Sequence, residues 1–300
     1  GALVIDTHGQ TLANTNSGAS GGITSQSTLT LTTGDLDNTA GYIGGAGALA
    51  ANGAAIGNTR GGIIASAAQL NLNGSALDNR GGQIQASGDV GINLSGALNN
   101  TASLVRSGSA LTVNANSIAN ADTQGANQGL EGQSVNLAAQ QINNRSGAAR
   151  ADDALTLTSG GPSTGSGQAK IDNTQGLISS SKTVTLQDAD PANKTLAVTN
   201  TGGTLIAGQN LSVDSSSLSG DGKVLAGTGA AMAAELLTPE PARFMDVMAS
   251  QTRFLLERDG LPSHKEERQF GASYWHTNYT AWYFTSLAMF QQGVNEKEKP

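Results

Sequence analysis

Acid–base catalysis needs carboxylates or histidines held close together, and this chain has few stretches that could supply them. In its first three quarters the candidates are Asp35/Asp37, Asp152-Asp153 and Asp188/Asp190. A carboxylate cluster on one face, with Ca²⁺ or a basic neighbour, is what a polysaccharide lyase or hydrolase requires. Asp152-Asp153, however, follows Arg150 at a turn-like position where Asp is the ordinary choice. Asp78 and Asp172 read in the same way, as corner residues. Towards the C-terminus His264 stands with Glu266, Glu267 and Arg268, and His276 lies beside Trp275. A nuclease-like or hydrolytic site could use such a His and Glu for proton transfer, but an alternating charge run is also the usual make-up of a solvated link. His8 is isolated in a strand-like stretch. With no cysteine in the chain, thiolate chemistry and Cys-based metal sites are excluded. The expectation is no catalytic residue, no metal and no cofactor.

The elements around these residues are organised by repetition. From Leu77 to Val113 the sequence says the same thing twice: Leu77-Asp78-Asn79-Arg80 is followed 21 residues on by Leu98-Asn99-Asn100-Thr101. Gln83-Ile84-Gln85-Ala86 returns as Ser103-Leu104-Val105-Arg106, and Ile92-x-Leu94 as Leu111-x-Val113. The aliphatic-x-Asn element recurs with Asn at 14, 38, 58, 79, 100, 120, 144, 173 and 200, in steps of 24, 20, 21, 21, 20, 24, 29 and 27. The longer steps locate insertions at Asp122–Gln128, Gly160–Gln168 and Asp188–Lys194. At Leu218-Ser219-Gly220 the Asn is lost.

Apolar residues alternate with Thr, Asn and Ser in short runs such as Leu155-Thr156-Leu157, and Gly and Asn punctuate the corners. Three short strands per repeat make one coil of a right-handed parallel β-helix, with about ten coils of 20–29 residues across residues 1–227. The fold class expected is therefore mainly β, with a small α-helical C-terminal module. The recurring Asn has two physical readings: a hydrogen-bonded ladder of buried amides from coil to coil, or a left-handed turn residue. The ladder assignment covers Asn38, Asn58, Asn79, Asn100, Asn120, Asn144, Asn173 and Asn200.

The composition suits a thin rod: 40 Gly, 37% hydrophobic and 13% charged residues in 300. A net charge of −7 argues against a nucleic-acid partner, which needs a basic footprint. No signal peptide or apolar run of membrane-spanning length is present, and Gly1-Ala2-Leu3-Val4-Ile5 already reads as a strand inside a solenoid, so a piece of something longer is expected. From 228 the language changes: ten of the 11 aromatics and all four Met lie in 229–300, with only four of the Gly. Ala230–Leu237 is strongly helix-forming, and Pro241–Arg258 is amphipathic. Tyr279–Gln292 is apolar round most of its circumference. Residues 228–300 are thus expected as a helical module. Part of Ala230–Leu255 is expected to pack near Leu205, Leu211 and Leu225 and cap the last coil. A binding face of Trp275, Trp282, Tyr283 and Phe290 is the alternative role.

The motif Leu77-x-Asn79-x-Gly81-Gly82-x-Ile84-x-Ala86, then Ile92-x-Leu94, with its equivalents at Ile56–Ala65, Ile171–Ser179 and Val198–Ala207, resembles the haemagglutinin repeats of filamentous haemagglutinin-like two-partner-secretion exoproteins. The resemblance covers about residues 1–227 and implies a secreted or cell-surface protein of a Gram-negative bacterium. It further implies export through an outer-membrane transporter partner and attachment to a host or target-cell receptor or glycan. The leading expectation is a non-enzymatic structural and adhesive shaft. The runner-up is a fragment of a contact-dependent growth-inhibition effector whose residues 229–300 bind a target-cell receptor or aid toxin delivery. The third is a carbohydrate-active β-helix. Val294-Asn295-Glu296 departs from that effector family's Val-Glu-Asn-Asn boundary, which puts the effector reading in doubt.

Overall fold

A computed structural model describes residues 1–18, 21–160, 168–192 and 194–227, and the backbone of 229–234. Alternating apolar residues in Val90–Leu94, Ala97–Asn99 and Leu104–Ser107 build the three strands of one coil. Each strand pairs in parallel with its counterpart in the coil before and the coil after. The strands therefore stack in three columns, which form the first, second and third faces of the solenoid in chain order. Parallel neighbours need a long crossover, and here the remainder of each coil supplies it.

The second face is a ten-stranded sheet running from Leu12–Ala13 to Ser217–Ser219. The first and third faces join in a nineteen-stranded sheet. They join because Gly129–Ala139 and Ala148–Ser159 each run unbroken from the third face on to the first face of the next coil. At strand spacing, about ten coils make a stack ~48 Å long.

Each face contributes inward rows to one continuous core. On the first face Leu70 and Leu72 lie over Leu49 and Ala51 and under Val90 and Ile92. Ile56, Leu77 and Leu98 form the row of the second face, and Ile43, Ile64 and Ile84 that of the third. Like side chains stack on like, so each coil buries its aliphatics only against its neighbours and stability is shared along the stack. Truncating any one of these Leu or Ile residues to Ala would cost about 2–5 kcal/mol.

The register differs from the repeat alignment in two strands. Ile92 stacks on Val113, and Val90 on Leu111, a shift of two residues. A two-residue slip keeps every side chain on its original face, so alternation alone does not fix it. Ile84 stacks on Val105 and Gln83 on Leu104, a shift of one. There Leu104 and Val105 are both apolar, and Val105 is the one pointing inward.

The helix expected from Ala230 is not what forms at its start. Gly229–Ala234 is a strand, paired in parallel with Asn210–Ser215 in an eleventh, partial coil. Helix propensity separates residues by only about 0.7 kcal/mol each. The open edge of the preceding strand offers a full row of backbone donors and acceptors, and the edge wins. The chain divides into two compact units, Gly1–Leu236 and Leu237–Pro300. The expected helices beyond 234 lie outside the described residues.

Candidate functional site

The recurring Asn sits at the corner between the second and third faces, immediately after each second-face strand. Asn14, Asn38, Asn58, Asn79, Asn100, Asn120, Asn144, Asn173 and Asn200 are all buried. Each Nδ2 donates to the Oδ1 of the next Asn, at 2.7–2.9 Å through all eight steps. The second amide hydrogen goes to a backbone carbonyl, such as Leu104 O at 3.0 Å from Asn79 and Ala148 O at 2.9 Å from Asn120. Every amide between the ends thus has both hydrogens and its oxygen engaged in the dry interior.

The left-handed residue of the corner stands two places later: Asn16, Ala40, Arg60, Gly81, Ala102, Asp122, Ser146, Gln175 and Gly202, with φ between 48° and 66°. The close approach comes next. A Cβ on Gly82 would lie 1.9 Å from the carbonyl oxygen of Asn58 in the coil below. The ladder ends at Asn200, because the position stacked on it is Gly220, where a Cβ would lie 2.5 Å from the backbone nitrogen of Thr201.

On the outer side of the same corner a second polar row caps the turn. Asp37, Asp78, Asn99, Asn143 and Asp172 each accept the backbone N–H two residues on. The Arg80 guanidinium, bonded to Asp78 at 2.7 Å, holds that carboxyl below its ordinary range against partial burial. Burial pushes the Asp172 carboxyl up. The Thr174 hydroxyl and N–H, with the Lys170 ammonium at 3.2 Å, outweigh burial and leave it lowered.

Of the remaining candidate acids Asp152 is exposed, and the others are held by neighbouring backbone or a cation. Asp35 accepts Ala55 N–H at 3.0 Å, and Asp153 pairs with Lys182. Asp188 is buried and receives the N–H groups of Asp190, Thr195 and Leu196, which fold the 188–195 insertion around its carboxylate. His8 is exposed, 3.6 Å from Asp6. Among the described residues no three His, Asp or Glu side chains gather where they could hold a metal ion. His264, Glu266, Glu267, Arg268 and His276 lie outside the described residues, as does the aromatic set Trp275, Trp282, Tyr283 and Phe290.

Two surface features were not visible in the sequence. On the third face Arg106, Glu131 and Arg150 stack across three coils, with Glu131 bridging both guanidinia at 2.8 and 2.9 Å. The insertion around 122–128 seats beside them through Arg150 to Gln128 O at 2.9 Å, and the outward Leu104 is buried. These partly exposed pairs contribute about 0.2–1 kcal/mol each, less than one core aliphatic. On the first face Asn52, Asn73, Asn93 and Asn114 form a second Asn row outside the core, linked at 2.9, 3.2 and 2.9 Å. The signal for both was present as residues 19–25 apart, but only the register shows that they align.

A family model described as the haemagglutinin repeat matches residues 1–74 and 162–234. The coils between those stretches have the same three strands in the same stacking. No curated protein and no solved structure matches the chain.

Proposed function

The chain is a filamentous haemagglutinin-like protein built of haemagglutinin repeats, and on that premise we propose that it is the structural and adhesive shaft of a secreted surface exoprotein. The observation that carries this reading is the unbroken stack, in which core rows and Asn ladder run through every coil from Asn14 to Asn200. Such a stack is stiff along its axis and repeats its outer surface every ~4.8 Å. It holds binding elements away from the cell, and weak contacts on successive coils add through effective concentration. Most of the candidate acids are spent on turns, loops and an ion pair, which favours a binding role over a catalytic one.

Export through an outer-membrane transporter fits a chain without cysteine, since no disulfide has to be opened before passage. Folding can then proceed coil by coil outside the cell, because each coil needs only its predecessor. The partner on the far side is a host or target-cell receptor or glycan.

The test is adhesion itself. Latex beads carrying the full chain should attach to epithelial or bacterial cell layers, or to immobilised glycans, well above beads carrying an unrelated β-rich protein. Attachment no better than the control on every such surface would leave a spacer, and the adhesive half of the reading would fall.

A further inference from the structure

The first face differs from the other two in charge. Two rows of outward residues run along it, from Thr30 and Thr32 in one coil to Thr185 and Gln187 seven coils later. All sixteen positions are Thr, Asn, Ala, Gly or Gln, without one Asp, Glu, Lys or Arg. Charge returns at both ends of the row, at Asp6 and Asp214. The outward side of the third face carries Arg106, Glu131 and Arg150, and the second face and its corner carry Asp37, Asp78, Lys170 and Asp172. Exposed protein surfaces ordinarily carry interspersed charge, and over eight coils these two rows have none, Asp89 standing at the edge of the face beside them.

The surface is also ordered beforehand. Asn73 donates to Asn52 and accepts from Asn93, which in turn accepts from Asn114. Each interior amide keeps one N–H and one lone pair for an outside partner. The Asn71 amide lies across Gly91, where a Cβ would be 2.7 Å from its oxygen. The face is therefore flat, and the side chains lose little further freedom on contact.

Repeat length decides what fits. A partner that contacts one coil can make the same contact on the next only if it repeats every ~4.8 Å along the axis. A second copy of this chain has that repeat. We propose that the first face, from Thr30 to Gln187, is a homotypic contact surface that packs against the same face of a second copy. This goes beyond the adhesive reading and does not depend on it. The patch measures about 38 Å by ~10 Å, or ~400 Å² a side, half of what one partner gives a standard interface. One pair in solution binds weakly, and the contact acts where many shafts stand together.

Beads bearing the full chain, coupled through its N-terminus, test this by clustering among themselves. Unmodified beads should cluster. Asn73→Lys with Thr112→Lys, or Asn73→Glu with Thr112→Glu, should reduce clustering at least tenfold when each is tested alone. Mixing the Lys beads with the Glu beads should restore it, in a salt-sensitive manner. Gln85→Lys on the third face should cluster like the unmodified chain, and all variants should keep its circular dichroism, because the changed positions point outward. Absence of clustering by unmodified beads would overturn the proposal. So would clustering indifferent to charge on this face, or failure of the mixed beads to recover. None of these outcomes bears on attachment to cells, so the two readings fail separately.

Discussion

Two rows of asparagine run along the same stack, bonded amide to amide over similar distances, and they stand in opposite surroundings. The inner row from Asn14 to Asn200 is buried, and its interior members have every polar atom occupied. The outer row from Asn52 to Asn114 faces solvent and leaves half its capacity open. The hydrogen bonds are alike; what differs is the alternative available when one is lost. Outside, water replaces the partner at little cost. Inside, the neighbours keep unpaired groups in a dry core, at about 1–3 kcal/mol for each group stranded. One residue type therefore serves as an adaptable surface and, six or seven residues on, as a stability element at the corner.

Substitution with charge should separate the rows most widely. Asn79→Asp would place a carboxylate oxygen against Asn100 Oδ1 and Leu104 O, where the amide now donates. A buried charge without a partner costs about 3–5 kcal/mol, so chemical denaturation should show at least that loss, or a chain that no longer folds. Asn73→Asp should stay within about 0.5 kcal/mol of the unmodified chain. Equal losses at both sites would mean that burial is not the difference between the rows.

Deletion of the amide should give a smaller gap. Asn79→Ala and Asn100→Ala should each cost about 1–3 kcal/mol, while Gln85→Ala and Thr112→Ala, both outward, should be near neutral. Denaturant midpoints measured side by side decide this. A loss at Thr112 matching that at Asn79 would show that the ladder adds nothing special.

Acid should sharpen the picture at the outer side of the inner corner. Folding lowers the carboxyls of Asp78 and Asp172, so it favours their ionised forms. That stability is fully present above the unfolded carboxyl range, near pH 4, and is lost as pH falls through the lowered folded values. Melting temperatures should therefore drop below about pH 4. Asp172→Asn should make that drop shallower while keeping the turn, since Asn99 and Asn143 fill the same place in other coils. An unchanged acid slope would remove Asp172 from the explanation.

How far the sequence could be read follows the same physics. Leu77-x-Asn79 and Leu98-x-Asn100 align unambiguously, because a corner offers one place for the Asn, and from this the coil count and the core rows follow. The strand after it is less determinate: Val90, Ile92 and Leu94 all point inward, so pattern alone permits the two-residue slip that the pairing of Ile92 with Val113 resolves. Leu104 misleads for a different reason, being outward yet buried beside an insertion that departs from the repeat. At Ala230 local propensity and a neighbouring strand edge disagree, and propensity is the weaker of the two. The acids of the candidate chemistry were visible as residues. Their service to turns was visible only where, as at Asp78, they precede a ladder Asn.

The inner Asn row also gives the stack an electrical direction. All eight amide bonds point one way, N–H towards the higher-numbered coil. They cannot turn round, because a reversed amide would set its oxygen against carbonyls such as Leu104 O. Aligned amide dipoles polarise one another and sum, so the line of side chains has an acceptor at its Asn14 end and a donor at its Asn200 end. The coil over Asn200 meets this donor end with a backbone acceptor, Lys223 O at 3.1 Å. The two directions along the stack are therefore electrically distinct, even though successive coils are built alike.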